Sequence, residues 1–174
     1  MPRAAHAEAW FGRQRKALNA WIGPFFRKKA DIMRFYIAAD NNSADRAKEL
    51  STVLGRNGHE LTYDWMKQAG MNHSSVDAMS DMSFSAVRAI RDAELVVVLL
   101  PGGYDTNAEL GVAIASRSNK RIILWSETSE VFGTCSDACA FCFHPSLERI
   151  VCPFEELLAM LNTDRVDTVP RGKF

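Results

Sequence analysis

One carboxylate, Glu109, follows a glycine-rich loop where an open α/β sheet would bind a ligand. The apolar run at residues 95–100 has the composition of a buried parallel strand, and Pro101, Gly102 and Gly103 come directly after it. The next residues predict a helix with Glu109 near its start. Ligands bind beyond the carboxyl ends of parallel strands, and amides at a helix start favour anionic groups. We therefore interpret Glu109 as the reacting residue of a site at this edge.

The loop over residues 101–106 can serve as a cradle for a ligand. Its backbone amides at Gly102, Gly103 and Thr106 can hold a phosphate or sugar hydroxyls, and Asp105 adds a second carboxylate. A carboxylate such as Glu109 can stabilise positive charge at a sugar carbon or trap that carbon covalently. The alternative is that Glu109 is a first-turn helix residue stabilised only by the helix dipole.

Strands alternate with helices along the chain. This alternation predicts a flavodoxin-like or Rossmann-like three-layer sandwich with a five-stranded, mainly parallel sheet. The predicted strands are residues 33–39, 59–63, 94–100 and 121–125 and a short one near 141–143.

The sequence indicates the helices between these strands less clearly than the strands themselves. Ser43 is a candidate cap for the helix after the first strand. Residues 66–80 have no clear period and predict a loop or irregular lid. Phe84, Val87 and Ile90 then indicate a short helix, and Pro153 suits the first turn of the last one.

Composition places the chain among globular proteins. It has 174 residues, 47% hydrophobic and 24% charged, with a formal net charge of zero, which argues against a nucleic-acid polymer as partner. No segment has the pattern of a signal peptide or a membrane span, so we expect a cytoplasmic protein with reduced thiols. The expected divisions are a basic aromatic extension over residues 1–32, a domain over 33–162 and a polar tail over 163–174.

The extension holds seven basic and two acidic residues, which gives it a net charge of +5 and leaves −5 for the remainder. Three interpretations stay open: a basic amphipathic helix for a membrane surface or partner, a helix packed on the domain, or an upstream segment with Met33 as the natural start. We favour the last two over membrane contact, because Gly12, Gly23 and Pro24 interrupt any long helix.

Four short segments, in order, resemble the nucleoside 2-deoxyribosyltransferase superfamily. They are Phe-Tyr-Ile-Ala at 35–38, Thr-Tyr-Asp-Trp at 62–65, Leu-Leu-Pro-Gly-Gly at 99–103 and Glu-Leu-Gly at 109–111. The pattern is similar to small bacterial members and is related to the 2′-deoxynucleoside 5′-phosphate N-hydrolases. The resemblance covers about residues 34–161 and excludes the extension.

The resemblance implies a reaction and roles for individual residues. A glutamate, here Glu109, attacks C1′ of a nucleoside or nucleotide and expels the base, and a tyrosine, here Tyr36, hydrogen-bonds and orients it. Asp64 and Trp65 would help to place the base, and residues 101–106 would hold the sugar or phosphate. The resemblance also implies no metal or organic cofactor, and at least a homodimer, because a neighbouring subunit completes the site.

One position departs from the family pattern. Many members carry an acid on the helix before the third strand, and this chain has Ala86 there. Protonation of the leaving base would then depend on Asp64, Asp81 or Asp105. The departure keeps two alternatives open: a non-catalytic nucleotide-binding or sensor domain, and a glycohydrolase of a dinucleotide such as NAD. The base, the sugar, the 5′-phosphate and the choice between transfer and hydrolysis are undetermined by these patterns.

The cysteines do not indicate a metal site. Cys135, Cys139 and Cys142 are spaced as in some iron–sulfur proteins, but they lie late in a short chain, and a zinc site that adds His144 or Cys152 is not favoured. We expect Cys142 to be a small buried hydrophobic residue within a Phe-Cys-Phe strand.

Overall fold

The structure is a computed structural model that describes residues 32–68, 75–116, 120–133 and 139–162. The tail predicted over residues 163–174 and all but the last residue of the predicted extension lie outside the described residues. The divisions of the chain made from sequence therefore remain predictions.

Five parallel strands form one sheet in the order β2-β1-β3-β4-β5. This is the strand order of flavodoxin-like doubly wound folds, whose ligand crevice lies where the order reverses, between β1 and β3. The strands are β1 (Arg34–Ala38), β2 (Glu60–Leu61), β3 (Leu95–Leu99), β4 (Arg121–Ser126) and β5 (Leu147–Val151).

Helices cover both faces of the sheet, which confirms the predicted three-layer α/β fold. They are α1 (Ala44–Arg56), α2 (Val76–Asp92), α3 (Tyr104–Ala115) and α4 (Phe154–Leu161). Side chains of α1 and α4 pack with one face of the sheet, and side chains of α2 and α3 pack with the other.

The central strand β3 shows why this sequence forms a buried parallel sheet. All five of its residues are buried, and they alternate between the two core layers: Leu95, Val97 and Leu99 face the α1 and α4 side, and Val96 and Val98 face the α2 and α3 side. A strand covered on both faces needs apolar side chains at every position rather than at every second one.

The helix α2 differs from the prediction. It begins at Val76, inside the segment predicted as a loop, and runs for 17 residues. The Ser75 side chain caps it by accepting a hydrogen bond from the Ala78 amide at 3.1 Å. The periodicity fails there because Val76, Met79 and Phe84 are apolar but exposed, so apolar positions do not mark the buried face.

The fifth strand also lies elsewhere than predicted. Residues Ala140–Phe143 form a 3₁₀ turn, in which Cys142 is buried as expected, and β5 follows at Leu147–Val151. Its Leu-Glu-Arg-Ile-Val sequence lacks an apolar run because Glu148 pairs with Arg121 of β4, with a shortest N–O distance of 2.7 Å. A pair between strands leaves no local signal in the sequence.

Two smaller predictions are also wrong. The second strand is shorter than residues 59–63, since β2 covers only Glu60–Leu61. Ser43 occupies the cap position of α1 but makes no capping bond through its side chain. Instead, Asp40 Oδ1 accepts a hydrogen bond from the Ser43 amide at 3.0 Å, which caps the short 3₁₀ turn before α1.

Candidate active site

Tyr36 and Glu109 meet at the junction of β1 and α3. The Tyr36 hydroxyl donates a hydrogen bond to Oε1 of Glu109 over 2.6 Å. Tyr36 is fully buried in β1, on the sheet face that α2 and α3 cover, and Glu109 is partly buried on α3. The parallel pairing of β1 with β3 places the start of α3 beside β1, which brings the two side chains together.

This pair lines a cavity of about 430 Å³ at the carboxyl edge of the sheet. The end of β1, the 3₁₀ turn Trp65–Gln68, α2 and α3 all contribute to its wall. Of the residues predicted from sequence, those that line it are Tyr36, Trp65, Gly103, Asp105, Thr106 and Glu109. A volume of this size lies within the range of small-molecule sites.

The environment of Glu109 changes its acidity. Burial raises the pKa of this carboxyl from its ordinary 4.5 to about 7, and the negative charge of Asp105 adds to the increase, against the hydrogen bond from Tyr36, which lowers it. Burial raises the pKa of Tyr36 well above its ordinary value of 10, and the negative charge of Glu109 adds to this increase. Near neutral pH, Glu109 is therefore divided between its ionised and protonated forms, and Tyr36 keeps its proton and remains a donor.

The glycine loop approaches the first turn of α3 closely. Gly103 is the cap residue of α3, and a Cβ at Gly102 would lie 2.5 Å from Cγ2 of Thr106. Gly102 does not itself line the cavity, but its missing side chain lets the loop pass over Thr106. Thr106 is 1% exposed, and within the described ranges its Oγ1 has no hydrogen-bond partner.

Trp65 and Asp64 are adjacent in sequence but separate in the structure. Trp65 lines the cavity, and its Nε1 donates a hydrogen bond to the carbonyl of Ile37 at 2.8 Å, which holds the ring at the end of β1. Asp64 is not among the lining residues, and its Oδ2 pairs with Lys67 Nζ at 3.1 Å. The structure therefore brings Trp65, and not Asp64, to the predicted site.

Several lining residues escape the sequence patterns. Asp40 and Asn41 follow β1, and Tyr63 donates a hydrogen bond to Oε1 of Gln68 over 3.3 Å across the cavity wall. The polar residues after β1 carry a usable signal, because they follow the carboxyl end of a predicted parallel strand. Gln68 carries none, since its pairing with Tyr63 depends on the turn between them.

The position of Ala86 matters for the chemistry. Ala86 lines the cavity on α2 together with Met79, Met82 and Val87, so this helix presents a largely apolar wall. Of the three acids named as replacements, Asp105 lines the cavity, whereas Asp64 and Asp81 do not. Of these three acids, Asp105 is thus the one that lines the described cavity.

A larger surface groove, of about 750 Å³, lies along α2 and α3. Its lining includes Phe84, Arg88 and Arg91 of α2, and it contains none of the residues predicted for the site. The smaller cavity is the candidate active site, because it holds the hydrogen-bonded Tyr36–Glu109 pair and the pKa of Glu109 is raised there.

The described part of the chain contains neither a metal-binding cluster nor a membrane-spanning helix. In those residues, no group of three or more His, Cys, Asp or Glu side chains is arranged to hold a metal ion. Across the same ranges, no helix combines the length and apolar character needed to cross a membrane.

The fold is similar to that of solved structures of enzymes, although no protein-family model and no curated protein matches the chain. A 2-deoxyribosyltransferase from Bacillus psychrosaccharolyticus superposes with a TM-score of 0.58 at 17% identity, over 81% of this chain and 98% of its own. A CMP N-glycosidase from Clostridium botulinum superposes with a TM-score of 0.53 at 20% identity, over 75% of this chain and 99% of its own. The chain therefore has a 2-deoxyribosyltransferase-like fold, as the resemblance in its sequence predicts.

Proposed function

We propose that this protein cleaves, or transfers a group at, the N-glycosidic bond of a nucleoside or nucleotide, with Glu109 as the nucleophile. The observation that carries the proposal is the 2.6 Å hydrogen bond from Tyr36 to Glu109 inside a cavity at the carboxyl edge of the sheet. The two similar structures, a deoxyribosyltransferase and an N-glycosidase, support this class of chemistry.

The geometry suits nucleophilic displacement at a sugar carbon. Tyr36 binds Oε1 of Glu109, which leaves Oε2 to form a bond to C1′ while the C1′–N bond breaks. The electron pair of that bond leaves with the base, which takes a proton from an acid in the cavity or from water. Water or a second base then displaces Glu109, giving hydrolysis or transfer.

Base release from a panel of substrates tests the proposal. The purified protein is incubated with deoxynucleosides, ribonucleosides and their 5′-monophosphates, and free base is measured by chromatography. Release is expected to disappear in Glu109→Ala and Glu109→Gln and to persist in Glu49→Gln, which changes an exposed glutamate on α1. Release that survives in both Glu109 variants would overturn the role of this residue.

A second candidate function is a non-catalytic nucleotide-binding or sensor domain. The apolar wall at Ala86 favours it. Many members of the family that the sequence resembles carry an acid at this position of the helix, whereas this chain has alanine there. Tight binding by calorimetry, with no base released from any member of the panel, would support this alternative. Adding NAD to the panel tests the glycohydrolase alternative, for which nicotinamide release is the readout.

We also propose that the protein is cytoplasmic and forms a homodimer or larger homo-oligomer. Three apolar side chains are largely exposed in the single chain: Tyr104 at 96%, which lines the cavity, Phe84 at 71%, which lines the groove along α2 and α3, and Val76 at 86%, at the start of α2. Large apolar side chains left exposed in a single chain favour an interface with a partner. Analytical ultracentrifugation is expected to show a mass at least twice that of the chain, and a monomer at micromolar concentration would contradict this.

A further inference from the structure

We propose that Asp105 is a specificity-determining residue that selects an uncharged nucleoside over its 5′-monophosphate. This inference rests on the proposed function, because it names the substrate class of the same site. Asp105 lines the cavity in the first turn of α3, one helical turn before Glu109.

The charge of the cavity is the first argument. Three acidic side chains line it, those of Asp40, Asp105 and the partly ionised Glu109, and among the described lining residues none is Lys or Arg. A 5′-phosphate brings about 1.5 to 2 further negative charges near neutral pH. Like charges in a partly buried site repel, so the wall that the structure describes disfavours a phosphorylated ligand.

The second argument separates Asp105 from Asp40. Both oxygens of Asp40 are engaged locally: Oδ1 accepts from the Ser43 amide at 3.0 Å, and Oδ2 accepts from Asn42 Nδ2 at 3.4 Å. Asp105 forms no ion pair with any described residue, and its charge acts on both Glu109 and Tyr36. Asp105 is therefore the carboxylate best placed to accept a hydrogen bond from a ligand.

The start of α3 supports the same interpretation. Amides at a helix N-terminus would by themselves favour a phosphate. Here Asp105 already places a negative charge in that first turn. This charge offsets part of the positive potential that the helix N-terminus would otherwise offer to a phosphate. The buried Thr106 hydroxyl and the amides then suit neutral sugar hydroxyls, which can donate to Asp105 as a phosphate dianion cannot.

The test compares one deoxynucleoside with its 5′-monophosphate in the full-length chain and in Asp105→Asn. The unmodified protein is expected to favour the nucleoside in kcat/KM, and Asp105→Asn is expected to reduce that preference by about tenfold. Asp77→Asn is the matched control, because it changes an exposed acid in the first turn of α2 that does not line the cavity. The ratio in the control is expected to equal that of the unmodified protein.

A binding measurement keeps this inference separate from the proposed reaction. Calorimetry on Glu109→Ala, with and without Asp105→Asn, uses the same two ligands and needs no turnover. A nucleoside preference that falls in the double variant supports Asp105 even if no base is ever released. A preference of the unmodified protein for the monophosphate, or a ratio that Asp105→Asn leaves unchanged in both assays, overturns the inference while base release can stand.

Discussion

The phenolic oxygen of Tyr36 lies 2.6 Å from Oε1 of Glu109, although 73 positions separate the two residues in the chain. The bond joins β1 to α3 at the crevice where the strand order of the sheet reverses. It opposes the two influences that keep Glu109 protonated, burial and the charge of Asp105. The fraction of Glu109 that is ionised therefore depends on Tyr36.

Removing the Tyr36 hydroxyl should slow the reaction. Tyr36→Phe deletes a charge-assisted hydrogen bond worth about 1.5–3 kcal/mol, so we expect kcat/KM for base release to fall by about 10- to 100-fold. Tyr63→Phe is the matched control, because its hydroxyl also belongs to the cavity wall but binds Gln68 rather than Glu109. An equal loss in the two variants would argue against a specific role for Tyr36.

The reaction should depend on pH through Glu109. The pKa of this carboxyl is raised to about 7 and the nucleophile is the ionised form, so kcat/KM is expected to rise between pH 5 and pH 8 with a midpoint near 7. Tyr36→Phe removes an influence that lowers the pKa and should move the midpoint up. Asp105→Asn removes one that raises it and should move the midpoint down. A flat profile over this range would contradict the assignment.

Ionised Glu109 should lower the free energy of unfolding at alkaline pH. Because its folded pKa lies above the ordinary 4.5, the stability it contributes is fully present below pH 4.5 and is lost as pH rises through about 7. Glu109→Gln is therefore expected to raise the free energy of unfolding at pH 8.5 by up to about 3 kcal/mol. At pH 4 the two proteins should have the same free energy of unfolding in urea. An increase of the same size at both pH values would contradict this explanation.

The glycine loop offers a substitution that a second glycine, elsewhere in the chain, can control. Gly102→Ala places a Cβ 2.5 Å from the buried Thr106 side chain, so the loop must shift, and we expect base release to fall by about tenfold or more. Gly55→Ala is the control, because Gly55 lies on α1 outside the cavity and its Cβ would have no described atom within 4 Å, so this variant should retain most activity. Thermal unfolding of both variants separates loss of the site from loss of the fold.

Local patterns in the chain predicted the fold class and one side of the site. The run of apolar residues in β3, its Pro-Gly-Gly exit and the helix that follows place Glu109 at the carboxyl edge, because burial on both faces and a glycine turn are recorded in neighbouring residues. The five-stranded parallel sheet and the three layers agree with the prediction for the same reason.

Long-range contacts determined the rest. The start of α2, the site of β5 and the exclusion of Asp64 depend on which faces pack and which strands pair, and a pair such as Arg121–Glu148 is invisible to periodicity. The acidity of Glu109 likewise arises only once folding removes its water and sets Tyr36 and Asp105 beside it. Desolvation and the influence of nearby charges depend on where residues lie in the folded protein. The spacing of residues along the chain does not give these positions.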